Sequence, residues 1–126
     1  MAVDATLPPA PGSSLVRLPA EIDLASAPEL RDEMLAALNR DGAHLVVDAL
    51  EVTFMDSSGV NALVRACERA ARLGGSLHVV TRHPAVRRVL QITGLEERLG
   101  VVGSLEGAYA CLLHPETVHT CDPDAG

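Results

Sequence analysis

Apolar positions in this chain repeat with two alternating periods. Leu15 to Leu18 reads as a short strand, followed by a turn and the triplet Glu21-Ile22-Asp23. Ser26-Ala27-Pro28-Glu29 then has the form of a helix start. Ser26 is a capping type, Pro28 is tolerated in the first turn, and Glu29 stands where a capping-box carboxylate belongs. Leu30, Met34 and Leu38 recur at helical spacing, and Gly42 ends that helix. His44 to Leu50 is an apolar strand interrupted by Asp48. A second helix is expected from about Ser58 to Leu73, with Val60, Leu63, Val64, Cys67 and Ala71 on one stripe and Gly74-Gly75 as its stop. Leu77 to Thr81 is the next strand. The helix from Pro84 to Thr93 turns Val86, Val89 and Leu90 inward and ends at Gly94. A brief Val101-Val102 strand precedes a last helix from Leu105 to Leu113, whose apolar side holds Ala108, Tyr109 and Leu112.

Repeated strand-helix alternation favours parallel strands joined by right-handed crossovers, with helices packed on the sheet. The expected fold class is therefore α/β, a single domain with a mostly parallel sheet. Residues 1–14, rich in Pro and Gly, read as an N-terminal loop with room for a short edge strand around Val3 to Leu7. The domain proper spans 15–113, and 114–126 reads as a polar, flexible tail.

Composition narrows the function. The chain has 126 residues, enough for one hydrophobic core, and 48% of them are apolar. Only Phe54 and Tyr109 are aromatic, so the core is aliphatic and no stacking platform for nucleic acid or sugar is available. A formal net charge of -7 disfavours nucleic acid and anionic membranes as partners. No apolar run is long enough for a bilayer and the N-terminus lacks a basic, then apolar, leader, so a cytoplasmic location without membrane insertion is expected. The three cysteines, Cys67, Cys111 and Cys121, have no CxxC spacing, which argues against a disulfide framework or zinc site. Cys67 lies on an apolar helix face and reads as core packing.

The stretch Val52-Thr53-Phe54-Met55-Asp56-Ser57-Ser58-Gly59-Val60 joins a strand to the second helix. Asp56, Ser57 and Ser58 are all good helix caps, and spacing alone does not choose among them. A serine at a helix mouth lies near free backbone N–H groups and the positive end of the dipole, so an added phosphate is tolerated there by the fold. Gly59 leaves room for an approaching protein, or else answers to a turn requirement.

Here the chain resembles the STAS family of bacterial anti-sigma-factor antagonists. The resemblance spans roughly Leu15 to Leu113 and includes Glu21-Ile22-Asp23, Leu45-Val46-Val47-Asp48, Phe54-Met55-Asp56-Ser57-Ser58-Gly59 and Thr93-Gly94-Leu95. It implies that Ser57, directly after the motif aspartate, is the phosphorylated residue. It also implies partner switching. The unmodified protein binds an anti-sigma factor that is itself a serine kinase, phosphorylation releases it, and a PP2C-type phosphatase resets the cycle. Asp23, Asp56, Ser58, Gly59 and Asn61 are then the expected partner-binding residues. No cofactor is expected in the chain, the kinase bringing ATP and Mg²⁺. Two positions depart from the family pattern: Ala20 replaces the usual glycine, and Val60-Asn61-Ala62 follows Gly59 where a small pair is common. Asn61 thereby bears on which partner is recognised.

Asp23 and Asp48 stand at strand ends, where turn and cap roles compete with function. In the family, the aspartate matching Asp23 lies near the phosphorylation region. Arg65, Arg69 and Arg72 line the outward side of the second helix, as a solvated face or a partner contact. An enzymatic reading fares poorly. A nucleophile elbow needs glycine two residues before the serine, but Met55 and Asp56 precede Ser57 and Ser58, and none of His44, His78, His83, His114 and His119 has a distinctive setting. His114, His119, Cys121 and Asp122 match no standard zinc spacing. The alternative functions share the fold: a STAS subunit of a transporter or lipid-trafficking ATPase, or of a sensory assembly.

Overall fold

A computed structural model describes residues 13–41, 43–96 and 98–113. Along these the chain forms β1 (Ser13–Arg17), β2 (Glu21–Ile22), α1 (Ala27–Asp41), β3 (His44–Asp48), β4 (Phe54–Met55), α2 (Ser57–Arg72), β5 (Ser76–Val80), α3 (Pro84–Ile92) and α4 (Leu105–Leu113). The strands β1, β3 and β5 pair side by side in that order, all parallel, with Leu15 opposite Val46 and Leu45 opposite Leu77. Val102 extends the pairing through a parallel bridge to Val80. A separate parallel ribbon joins β2 to β4, Ile22 facing Met55.

The sheet is buried on both faces, which explains why its strands read as apolar runs rather than as strict alternation. Leu45, Val47, Leu77 and Val79 point into the larger core beneath α1, α2 and α3. Val46 and Val80 point the other way, into a smaller cluster closed by Ala108 and Tyr109 of α4. The expected stripes are seen: Leu30, Met34 and Leu38 of α1, and Val60, Leu63 and Cys67 of α2, are all buried. Ala62, Ala66 and Ala70 are buried as well, and these small side chains let α2 lie close to its neighbours.

Helix ends follow their chemistry. After α2, Gly74 adopts φ 79. Its N–H bonds Ala71 O at 3.0 Å while Gly75 N–H bonds Ala70 O at 2.8 Å, a Schellman ending. The same pair of bonds closes α3, from Gly94 to Gln91 O and from Leu95 to Leu90 O. At the other end of α3, His83 supplies the cap through Nδ1, which accepts from Ala85 N–H at 3.2 Å.

Several expectations need adjustment. β1 begins at Ser13, ahead of Leu15, and Leu18 follows it, bonding through its N–H to Asp48 O. The Phe54-Met55 segment is a strand, because its backbone is stitched to the β2 region. At α1 the capping box does not form around Ser26. Asp23 Oδ1 instead accepts from the N–H groups of Ala25 and Ser26, and the Ser26 hydroxyl accepts from Asp23 N–H. The side chain three residues earlier reaches those donors first. Cys67 is buried as expected, yet its sulfur is in a disulfide, while Cys111 is a free thiol. Spacing along the chain says nothing about which sulfurs meet in space. The edge strand at Val3–Leu7, the Gly42 stop and the tail 114–126 lie outside the described residues.

Leu63 sits fully buried in the larger core. Leu63→Ala should cost about 2–5 kcal/mol through the cavity it leaves. Ile92→Ala, at a highly exposed position, should stay within about 0.5 kcal/mol of wild type. Urea denaturation curves compare the two.

Candidate functional site

The stretch between β3 and α2 is held from below by the β2 side of the molecule. Thr53 N–H bonds Ala20 O at 2.8 Å, Phe54 N–H shares the same acceptor at 3.3 Å, and Asp56 N–H bonds Ile22 O at 3.2 Å. Val52 and Met55 are buried, so this backbone is anchored rather than looped out.

Asp56 then ends the strand and caps α2, with extended backbone angles of φ -94 and ψ -172. Its Oδ1 accepts from Ser58 N–H at 2.9 Å, from Gly59 N–H at 3.4 Å and from the Ser58 hydroxyl in a short bond. The Ser58 hydroxyl is the main reason the Asp56 carboxyl titrates below its ordinary 3.8. Slight burial opposes it, and the backbone amides of Gly59, Ser58 and, least, Leu24 reinforce it. Of the three candidate caps in the motif, the aspartate is the one used.

Ser57 is left outside this arrangement. It is the first residue of α2 and exposed. Among the described residues its hydroxyl has no hydrogen-bond partner, whereas the Ser58 hydroxyl is committed to Asp56. One serine is locked and the other is presented. Of the helix-mouth N–H groups, those of Ser58 and Gly59 are already taken by Asp56.

Gly59 is buried, and its role is packing. A Cβ there would stand 2.5 Å from Met55 Cγ and 2.9 Å from Ile22 Cγ2, so the glycine lets the first turn of α2 rest on the β2–β4 ribbon. It is not part of the exposed face. Asn61 is exposed and, with Leu24, Ala27, Pro28, Arg31, Ser58 and Ala62, lines a groove of about 170 Å³ between the starts of α1 and α2. Leu24, at 76% exposure, and Phe54, at 50%, are apolar side chains that the fold leaves in solvent on the segments flanking Ser57.

Asp23 is exposed and spends its carboxylate on the turn into α1. Its contribution to the site is indirect, since that turn carries Leu24. Asp48 is buried, with Arg17 Nε at 3.2 Å and Leu50 N–H at 3.0 Å. Burial first, and then the charge of Asp48, push the Tyr109 phenol above its usual 10.0. These are structural tasks away from Ser57.

The arginine row does not adjoin the serine. Arg69 clasps Asn39 Oδ1 through Nε and Nη2 at 3.2 and 2.9 Å, tying α2 to α1. At about 1.5 Å per helical residue, Arg65 is roughly 12 Å along α2 from Ser57 and Arg72 more than 20 Å. The arginine that does reach the groove is Arg31 of α1. Arg31, Leu24 and Phe54 carry no local signal that sets them apart, because their nearness to Ser57 arises from helix and strand packing.

Comparison with known proteins agrees with this geometry: residues 5–108 match the STAS domain family. The chain belongs to that family. It is similar to the anti-sigma-B factor antagonist of Bacillus subtilis, with 35% identity over 92 residues, covering 73% of this chain and 84% of that one. The anti-sigma F factor antagonist of Paenibacillus polymyxa is 32% identical over 85 residues, 67% of this chain and 73% of its own. Among solved structures, an anti-sigma factor antagonist from Mycobacterium paratuberculosis superposes with a TM-score of 0.75 at 30% identity, over 84% of this chain and 90% of that one. Among the described residues of this STAS domain, no helix is long and apolar enough to cross a membrane.

Two measurements probe the site. The capping carboxylate of Asp56 titrates below its ordinary value in the folded chain. It therefore stabilises the fold fully above the unfolded value, and that contribution is lost as pH falls through the lower folded one. Wild type should lose stability below about pH 4 more steeply than Asp56→Asn, in urea midpoints taken across the acid range. Gly59→Ala should destabilise by about 1–3 kcal/mol through overpacking against Met55 and Ile22. Equal midpoints for Gly59→Ala and wild type would show that the first turn has room to spare.

Proposed function

We propose that this STAS domain is an anti-sigma factor antagonist controlled by phosphorylation of Ser57. The observation that carries the reading is the division of labour at the start of α2. Asp56 holds the helix N-terminus and the Ser58 hydroxyl, while the Ser57 hydroxyl stands exposed with no partner among the described residues. The similarity to proteins named anti-sigma factor antagonists supplies the partner class.

In the unmodified state the surface around Ser57 binds an anti-sigma factor with serine kinase activity, and the sigma factor is freed. Leu24 and Phe54 offer apolar area to bury, and the groove between α1 and α2 gives the partner a place to insert. The kinase then transfers the γ-phosphoryl group of Mg²⁺·ATP to Ser57 Oγ. ADP leaves and the hydroxyl proton is released. Hydrolysis by a PP2C-type phosphatase returns the serine and inorganic phosphate. The cycle operates in the cytoplasm, where sigma factors work.

Phosphate adds about -1.5 to -2 charges next to the Asp56 carboxylate. In open solvent that repulsion is screened. It rises when a partner covers the surface and excludes water. The fold survives because the helix cap does not depend on Ser57, and the complex does not survive because the new charge has to be desolvated beside another anion.

Intact-mass measurement after incubation with Mg²⁺·ATP and the cognate kinase should add one phosphoryl group to wild type and to Ser58→Ala, and none to Ser57→Ala. Ser57→Ala should keep its fold and hold the anti-sigma factor whether or not ATP is present. Ser57→Asp should fold but bind at least about tenfold more weakly. Tight binding by the aspartate variant, or a phosphoryl group found elsewhere, would overturn the proposal.

A further inference from the structure

Phosphate at Ser57 raises a local question of charge balance. The N–H groups of Ser58 and Gly59 are occupied by Asp56, so neither is free to receive a second anion. The nearest carboxylate in the chain is also an adverse neighbour. A stable phosphoserine would gain from a cation on another element.

The groove places one within reach. Asn61 follows Ser57 by one helical turn, and residues so spaced have Cβ atoms about 5–6 Å apart on the same face. Asn61 and Ser58 both line the groove and Ser57 itself does not, so a group built onto Ser57 Oγ extends from beside the lining toward it. The opposite wall is α1, which packs directly against α2 and contributes Arg31. Packed helices lie about 8–10 Å axis to axis, a gap that an arginine and a phosphoserine side chain together can span.

Arg31 is only lightly engaged. Its Nε and Nη2 each lie 3.3 Å from Oδ1 of the adjacent Asp32, and both side chains are solvent-exposed in large part. Such a pair between chain neighbours is screened and easily exchanged. A phosphate dianion offers more charge and three acceptor oxygens to the planar guanidinium fork.

We propose that Arg31 receives the phosphate of phosphorylated Ser57, so that modification closes the groove between α1 and α2 from within the molecule. This rests on the reading of Ser57 as the phosphoacceptor, and deepens it. Release of the partner then has two causes, charge next to Asp56 and a bridge laid across the groove over Ala27, Pro28 and Ala62. Arg31 acts as a positioning residue for the modified state and has no such task in the unmodified one.

The test uses the full chain with phosphoserine installed at position 57 during synthesis, so that no kinase is needed. A nearby cation favours the phosphate dianion and lowers its second pKa, ordinarily about 6. In ³¹P NMR titrations the wild-type background should titrate about half a pH unit or more below Arg31→Gln. Arg31→Lys should fall between them, and Arg72→Gln, at the far end of α2, should match wild type. Titrations that coincide for wild type and Arg31→Gln would overturn the pairing, as would an equal shift on replacing Arg72. Thermal melts of the unmodified proteins serve as the check on a merely structural role, since Arg31→Gln should melt with wild type. The natural use of Ser57 is decided separately by the intact-mass experiment, so the two ideas fail independently.

Discussion

The capping bond network of Asp56 is the constraint on which the site depends. One carboxylate oxygen accepts from two backbone amides of the first turn of α2 and from the Ser58 hydroxyl. The Leu24 amide of the β2–α1 turn also helps, least of all, to hold the Asp56 carboxyl below its ordinary value. A helix start has N–H groups without partners inside the helix, and a carboxylate there answers both their hydrogen-bonding need and the positive end of the dipole. With that need met by Asp56, neither serine has to serve as the cap. Ser58 is drawn into the network as a donor, and Ser57, one position earlier, is turned out to solvent.

The surrounding fold makes this local arrangement rigid. The backbone before Asp56 is bonded to Ala20 and Ile22, and the first turn of α2 rests on Met55 and Ile22 because Gly59 has no side chain. The other end of α2 is closed by its own Schellman bonds, and its last turn is clasped to α1 by Arg69 and Asn39. A charge added at Ser57 therefore meets a platform whose supports lie elsewhere. Such a platform suits a regulator that must change partners without unfolding.

The same packing builds the groove beside Ser57. Small residues, Ala27 on α1 and Ala62 on α2, let the two helix starts approach, while Arg31 and Asn61 stand on opposite sides. Leu24 and Phe54 project from the two segments of the β2–β4 region that carry the site. The chain as a whole is acidic, at -7, yet this corner brings a guanidinium and an amide together next to an exposed hydroxyl. Local composition, rather than net charge, sets what the corner can bind and how it responds to a phosphate.

Much of this was legible along the chain. Period-3.6 stripes such as Leu30-Met34-Leu38, the glycine stops after α2 and α3, and the parallel strand-helix alternation are local properties, and local sterics and burial enforce them. The motif from Phe54 to Gly59 marked Ser57 by resemblance. The sequence could not say that Asp56 rather than a serine caps α2, since all three are chemically suited and only the anchoring of the preceding backbone to Ile22 orients one of them. Nor could it say that Asp23 would displace the Ser26 box, that Gly59 answers to Met55 and Ile22, or that Cys67 would be disulfide-bonded. It pointed to the arginines of α2, where the fold brings Arg31 of α1 to the groove instead. Periodicity and capping chemistry act between residues a turn apart, so they are written in the chain. Which side chains face each other across two helices or two strands depends on how those elements pack, and that was decided only in three dimensions.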